Sequence, residues 1–261
     1  MTEVIKPLCP NAVTMMALVF GVSALNKAMW GDWQWAVCFI LLAGFFDFMD
    51  GKVARLLGVS SKFGAELDSL SDFVSFGVAP GFLMYNWTMD STLRLEALRD
   101  ITYKPGAIGV YWWVVLFFAM CCASRLARFN TMLDERQPLY WKHFFMGVPA
   151  PAGAGLAMLP LVLWLAFGEE FFRHPIFVSA FVLFAGVMMA SRVPTIGLKH
   201  IHIAKSMRSF VGFCLLGFIC SLATFPWLSL SFLGVLYFCS IPVGIYVFLN
   251  LKKQAETKKG G

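Results

Sequence analysis

Long apolar runs separated by short polar stretches make up most of the chain. They fall at roughly 12–30, 34–51, 66–87, 107–129, 147–167, 175–192, 208–224 and 229–250, with ends good to a few residues. Each approaches the ~20 residues that a helix needs to cross a bilayer. Lipid offers the backbone no hydrogen bonds, so only helices and closed barrels span it. Barrel strands alternate in polarity over about 10 residues, whereas these runs are continuously apolar. The pattern therefore predicts an all-α, polytopic membrane protein with about eight transmembrane helices.

Composition agrees. The 261 residues are 59% hydrophobic and 14% charged, about half the charge of an ordinary soluble domain. Once the spans are assigned, nothing is left for a soluble domain. The expected organisation is one transmembrane domain over residues 1–251 and a polar tail over 252–261. The segment after Pro10 reads as a retained first span, because it lacks a basic start and a cleavage site of small residues. The seven cysteines lie mostly inside apolar runs and lack the spacing of a zinc site or a disulfide framework. They read as small buried side chains.

The formal charge of +6 excludes little until it is mapped. The cations gather at the ends of apolar runs, where anionic headgroups lie, and form no basic patch for nucleic acid. With both termini in the cytoplasm, only Lys27, Arg94, Arg99, Lys104 and Arg173 of the 21 Lys and Arg fall outside. This is the asymmetry expected of an inner-membrane protein. Dropping one span would spoil it. The chain contains no evident inverted repeat, which weakens a transporter reading.

Acidic residues carry the chemistry. Asp47 and Asp50 end the second run; Asp68 and Asp72 begin the third. Spacings of three and four residues put each pair on one helix face. Ionised carboxylates at membrane depth are costly and are functional by default. Two helices joined by a short turn would aim all four at one point, where they repel unless a cation intervenes. All-oxygen ligands suit Mg²⁺ or Mn²⁺, and such ions commonly bridge phosphate oxygens. Gly51 and Gly64 are expected to flank the turn and let a ligand approach the backbone. Arg55, one helical turn past Gly51, suits a phosphate.

The string from Asp47 to Asp72 fills every fixed position of a known signature: Asp, two residues, Asp-Gly, two, Ala-Arg, eight, Gly, three, Asp, three, Asp. It resembles the CDP-alcohol phosphotransferase family. That resemblance implies Asp47, Asp50, Asp68 and Asp72 as metal ligands for Mg²⁺ or Mn²⁺, with Asp72 also the general base. It implies Gly51, Ala54, Arg55 and Gly64 as CDP contacts, with Ser61 a further candidate. Asn11 and Thr14 resemble another nucleotide-contacting element, although a helix N-cap is the simpler alternative. A homodimer is implied as well.

Two later stretches, Arg125–Asn130 and Gly147–Pro151, resemble the serine-transferring branch of the family. That likeness implies CDP-diacylglycerol and L-serine as substrates, in the company of membrane lipids. Arg125 and Arg128 could meet the serine carboxylate, with Asn130 or Glu66 near the amine. Arg192 and Lys199 could meet a carboxylate or a lipid phosphate. Each of these cations could equally be an interfacial anchor. Glycerol 3-phosphate, inositol phosphate or choline remain alternative acceptors, and a cation-coupled transporter or a structural scaffold are more distant readings. His200 and His202 read as loop residues.

Overall fold

The computed structural model describes residues 8–58, 61–99, 105–132, 144–196 and 208–257. Apart from one short strand pair, these residues are helical. In chain order come α1 (Leu8–Met29), α2 (Trp33–Leu57), α3 (Lys62–Asp72), a π-helical turn (Phe73–Val78), α4 (Ala79–Arg99) and α5 (Pro105–Met132). Strand β1 (Phe144–Met146), α6 (Ala150–Phe167), α7 (Pro175–Ala190), β2 (Pro194–Ile196), α8 (Arg208–Thr224) and α9 (Pro226–Thr257) follow. The residues flanking the π turn keep helical angles, so α3, the turn and α4 form one rod. The expected all-α architecture is what the chain adopts.

Four stretches are long and apolar enough to cross a membrane: Cys9–Met29, Gly109–Thr131, Ala150–Phe167 and Pro226–Leu251. Two shorter apolar helices, Pro175–Ala190 and Val211–Thr224, accompany them. The α2 helix and the α3–α4 rod mix their apolar residues with Asp, Lys and Arg. Large apolar side chains cover the outer helices: Phe213, Leu215, Phe232 and Leu236 are all exposed. A surface of this kind needs lipid around it. The molecule is a multi-pass membrane protein.

The α6 helix occupies the centre. Its residues Ala154 and Leu156 through Leu161 are almost wholly buried, as expected of a helix apolar on every side. Trp87, Phe76, Leu83 and Phe118 pack into the same core. At one pole Arg173 pairs with Asp90 at 2.6 Å and lies over the rings of Trp87 and Trp164. Lys27, in the last turn of α1 and so at the end opposite Asn11 and Thr14, pairs with Asp32 at 2.9 Å. Two of the cations assigned to the outer side are thus each neutralised by an acid.

Several boundaries differ from expectation, for local reasons. The α2 helix runs on past Gly51 to Leu57 and stops at Gly58, whose φ of 63° is left-handed and whose N–H bonds back to Ala54 and Arg55 carbonyls. Gly51 therefore lies inside a helix rather than beside the turn. Ser61 starts α3 by accepting a hydrogen bond from the Gly64 N–H at 2.9 Å, an N-cap. The α3–α4 rod continues to Arg99, and α9 extends into the polar tail as far as Thr257. Gly147–Pro149 precedes α6 as a joint: Gly147, at φ 73°, receives its carbonyl bond from Thr195 Oγ1 at 2.7 Å and donates to Val193. The pairing of β1 with β2 beside it was not foreseen.

The α1 helix docks on the α3–π segment through small and hydroxylated residues. Ser71 Oγ donates to the Thr14 carbonyl at 3.2 Å and Ser75 Oγ to that of Ala17 at 3.4 Å. Ser75 comes this close because Gly21 has no side chain; a Cβ there would collide with Ser75. Alanine in place of a helical glycine gains up to about 1 kcal/mol of propensity, but overpacking costs roughly 1–3 kcal/mol. Gly21→Ala should therefore lower the melting temperature in detergent. Gly155→Ala, where nothing lies within 4 Å of the new methyl, should not. Equal melting of the two variants would refute the close contact.

Candidate active site

The two aspartate pairs meet as the spacing predicts. From α2 come Asp47 and Asp50, from α3 Asp68 and Asp72. Carboxylate oxygens of Asp47, Asp50 and Asp68 all lie within 4.8 Å of one another. Asp72 abuts Asp47 closely enough for their carboxyl groups to share a hydrogen bond. Asp72 is the last residue before the π turn. Such turns insert an extra residue and re-aim the side chains beside them.

The partners of these carboxylates are few. Thr14 Oγ1 donates to Asp50 Oδ2 at 2.6 Å and holds that nearly buried side chain in place. No Lys or Arg among the described residues forms an ion pair with any of the four. Four acids facing one another without a protein cation are stable only with protons or a metal ion between them. Every donor is a carboxylate oxygen, so the set fits a hard divalent cation and not a soft one. The cluster of Asp47, Asp50 and Asp68 could hold such an ion.

A cavity of about 180 Å³ opens directly beside the acids. Its walls include Asn11, Thr14, Ala54, Ser61 and the carboxylates of Asp50 and Asp68. Two glycines complete it for opposite reasons. At Gly64 a Cβ would come within 3.0 Å of Asn11 Oδ1 and Ser61 Oγ, so no side chain fits. At Gly51 a Cβ would meet only Arg55, at 3.9 Å, so the protein leaves room that its own packing does not use. Arg55 stands at this mouth. Its Nε donates to the Gly51 carbonyl at 2.8 Å, and the exposed guanidinium makes no other hydrogen bond among the described residues.

Seven candidate CDP contacts thus surround or border one cavity. Asn11 and Thr14 are not N-caps, because α1 already begins at Leu8; Thr14 instead links the cavity to Asp50. Pro10 and Ala65 also line it, and sequence reasoning passed over both because neither carries a functional group.

The candidate acceptor residues separate. Arg128 donates to the Ala190 carbonyl at 2.7 Å, tying α5 to the C-terminal end of α7, where a cation is favoured. Asn130 donates to Ser69 Oγ at 2.9 Å and anchors the end of α5 to α3. Arg192 is exposed, and Lys199 lies outside the described residues. Arg125 alone of this group acts electrostatically on Asp72 and Asp47. Its Nε is buried without a hydrogen-bond partner. Tyr237 of α9 shares its field. Sequence reasoning missed Tyr237; nothing in the sequence separates it from Tyr246 of the same helix, which is exposed.

Comparison with known proteins agrees with this geometry. Residues 7–196 match the family model described as CDP-alcohol phosphatidyltransferase, and residues 213–242 match CDP-alcohol phosphatidyltransferase 2. A CDP-diacylglycerol–serine O-phosphatidyltransferase of Mycobacterium leprae is 31% identical over 238 residues, covering 91% of this chain and 74% of the relative. One from Helicobacter pylori strain 26695 is 30% identical over 245 residues, covering 94% and 90%. One from Methanocaldococcus jannaschii is 37% identical over 142 residues, covering 54% of each. With the signature, the converging aspartates and the match over most of its length, this chain belongs to the CDP-alcohol phosphatidyltransferase family.

Proposed function

We propose that this protein transfers the phosphatidyl group of CDP-diacylglycerol to the hydroxyl of L-serine, giving phosphatidylserine and CMP. The observation that carries the reading is the juxtaposition of the clustered carboxylates with a cavity lined by Gly51, Ala54 and Gly64, with Arg55 beside Gly51. The names of relatives aligned over nine-tenths of the chain support serine as acceptor. The positive-inside asymmetry supports an inner-membrane location with the site facing the cytoplasm.

In this reading Asp47, Asp50, Asp68 and Asp72 hold Mg²⁺ or Mn²⁺. Such a cation, when bound, would neutralise pyrophosphate charge. Asn11, Thr14, Ser61 and the bare backbone at Gly51 and Gly64 receive the CDP group, and Ala54 keeps the wall thin. Arg55 offers its free N–H groups to a phosphate oxygen, the fork suited to that geometry. Asp72 accepts the proton of the serine hydroxyl. The serine oxygen bonds to the phosphorus that bears the diacylglycerol, and the bond from that phosphorus to the CMP oxygen breaks. CMP leaves with the electron pair.

Purified protein given labelled CDP-diacylglycerol should release CMP with serine. It should not do so with glycerol 3-phosphate, inositol, inositol phosphate or choline; turnover with one of these instead would replace serine as acceptor. Removing the base should cost the 10²–10⁴-fold typical of proton transfer. Asp72→Asn is thus expected to lose turnover by at least about 100-fold while CDP-diacylglycerol still binds, as read by calorimetry. Near-normal turnover in that variant would remove Asp72 from the role.

A further inference from the structure

Arg125 and Tyr237 stand out among groups the mechanism above leaves unused. Arg125 projects from α5 and Tyr237 from α9, far apart in sequence, yet each lies in the other's electrostatic field. The Arg125 Nε and the Tyr237 hydroxyl are both shielded from solvent, and among the described residues neither meets a hydrogen-bond partner in good geometry. The guanidinium also feels Asp72 and Asp47 without forming an ion pair with either. On the third side Thr195 Oγ1 lies near the phenol but donates its own proton to the Gly147 carbonyl. That bond is part of the β1–β2 joint, so the wall behind Tyr237 is braced.

A buried guanidinium without an anion is strongly unfavourable, as is a buried hydroxyl without a partner. If α9 needed only packing here, phenylalanine would serve, as it does at the neighbouring Phe238 and Phe232. Arg125 instead stands beside Asp72, the carboxylate assigned as base, and Tyr237 stands beside Arg125. Two donors of this kind, one cationic and one neutral, match a carboxylate. Its oxygens take the planar guanidinium fork and a phenolic O–H together. Arg128 and Asn130, whose side chains already serve helix ends and Ser69, leave Arg125 as the cation of this wall.

Resting on the serine reading above, we propose that Arg125 and Tyr237 form the subsite for the acceptor's carboxylate. They would hold the amino acid so that its hydroxyl meets Asp72. The last helix, which lacks any signature residue, would thereby take part in choosing the acceptor.

The test compares Tyr237→Phe with the unaltered protein by CMP release. The acceptors are serine, serinamide and ethanolamine, the last two lacking the carboxylate. Losing one hydrogen bond to a charged group should raise KM for serine roughly 10-fold or more. Preference for serine over serinamide should shrink by a similar factor, while KM for CDP-diacylglycerol holds. Melting of the ligand-free variant should be unchanged or higher, since a partnerless hydroxyl has been removed. An unchanged KM for serine and unchanged discrimination would overturn the proposal. So would a rise confined to CDP-diacylglycerol, which would assign these donors to the lipid phosphate. If the unaltered protein released no CMP with serine but did so with another acceptor, the serine reading itself would fall, and this inference with it.

Discussion

Mutual repulsion among four carboxylates is the constraint around which this molecule is arranged. Asp47, Asp50 and Asp68 present oxygens within 4.8 Å of one another, and Asp72 crowds Asp47. In a membrane protein, where desolvation already penalises each charge, such a cluster persists only if something positive belongs at its centre. No described Lys or Arg plays that part. The nearest cation, Arg125, influences the acids without pairing with them. A divalent ion would suit the geometry, and the cavity adjoins the place it would occupy.

The rest of the site follows from holding those acids still. Thr14 fixes Asp50, and α1 is itself held by two serine-to-backbone hydrogen bonds and the close approach at Gly21. One helix thus lines the cavity, orients the Asp50 carboxylate and braces the π turn that follows Asp72. On the other side, Asn130 and Arg128 tie the end of α5 to α3 and α7. The β1–β2 joint locks the start of α6 to Thr195. The resemblance of Arg125–Asn130 and Gly147–Pro151 to family segments thus acquires physical content: most of these residues position helices, and Arg125 is the one that faces the acids.

Much of this was legible in the chain itself. Four aspartates at spacings of three and four announce two converging helix faces, and apolar runs announce an all-helical membrane fold. Asn11, Thr14 and Gly64 line one cavity because α1 packs against α3. Other features depended on tertiary structure. The position of the turn was misplaced because Gly51 and Gly58 are both plausible breakers, and only Gly58 takes a left-handed φ. The strand pair joins residues some fifty positions apart, which no periodicity reveals. Tyr237 is separated from Arg125 by three helices and reads as one more aromatic in an apolar helix.

The central claim is that the acids grip a divalent ion. It is tested most directly by anomalous diffraction from crystals of the active protein grown with Mn²⁺. The account predicts a Mn²⁺ peak about 2.1 Å, a hard-cation bond length, from carboxylate oxygens of Asp47, Asp50 and Asp68. Saturating Mn²⁺ that leaves this point empty, or binds only elsewhere, would contradict it.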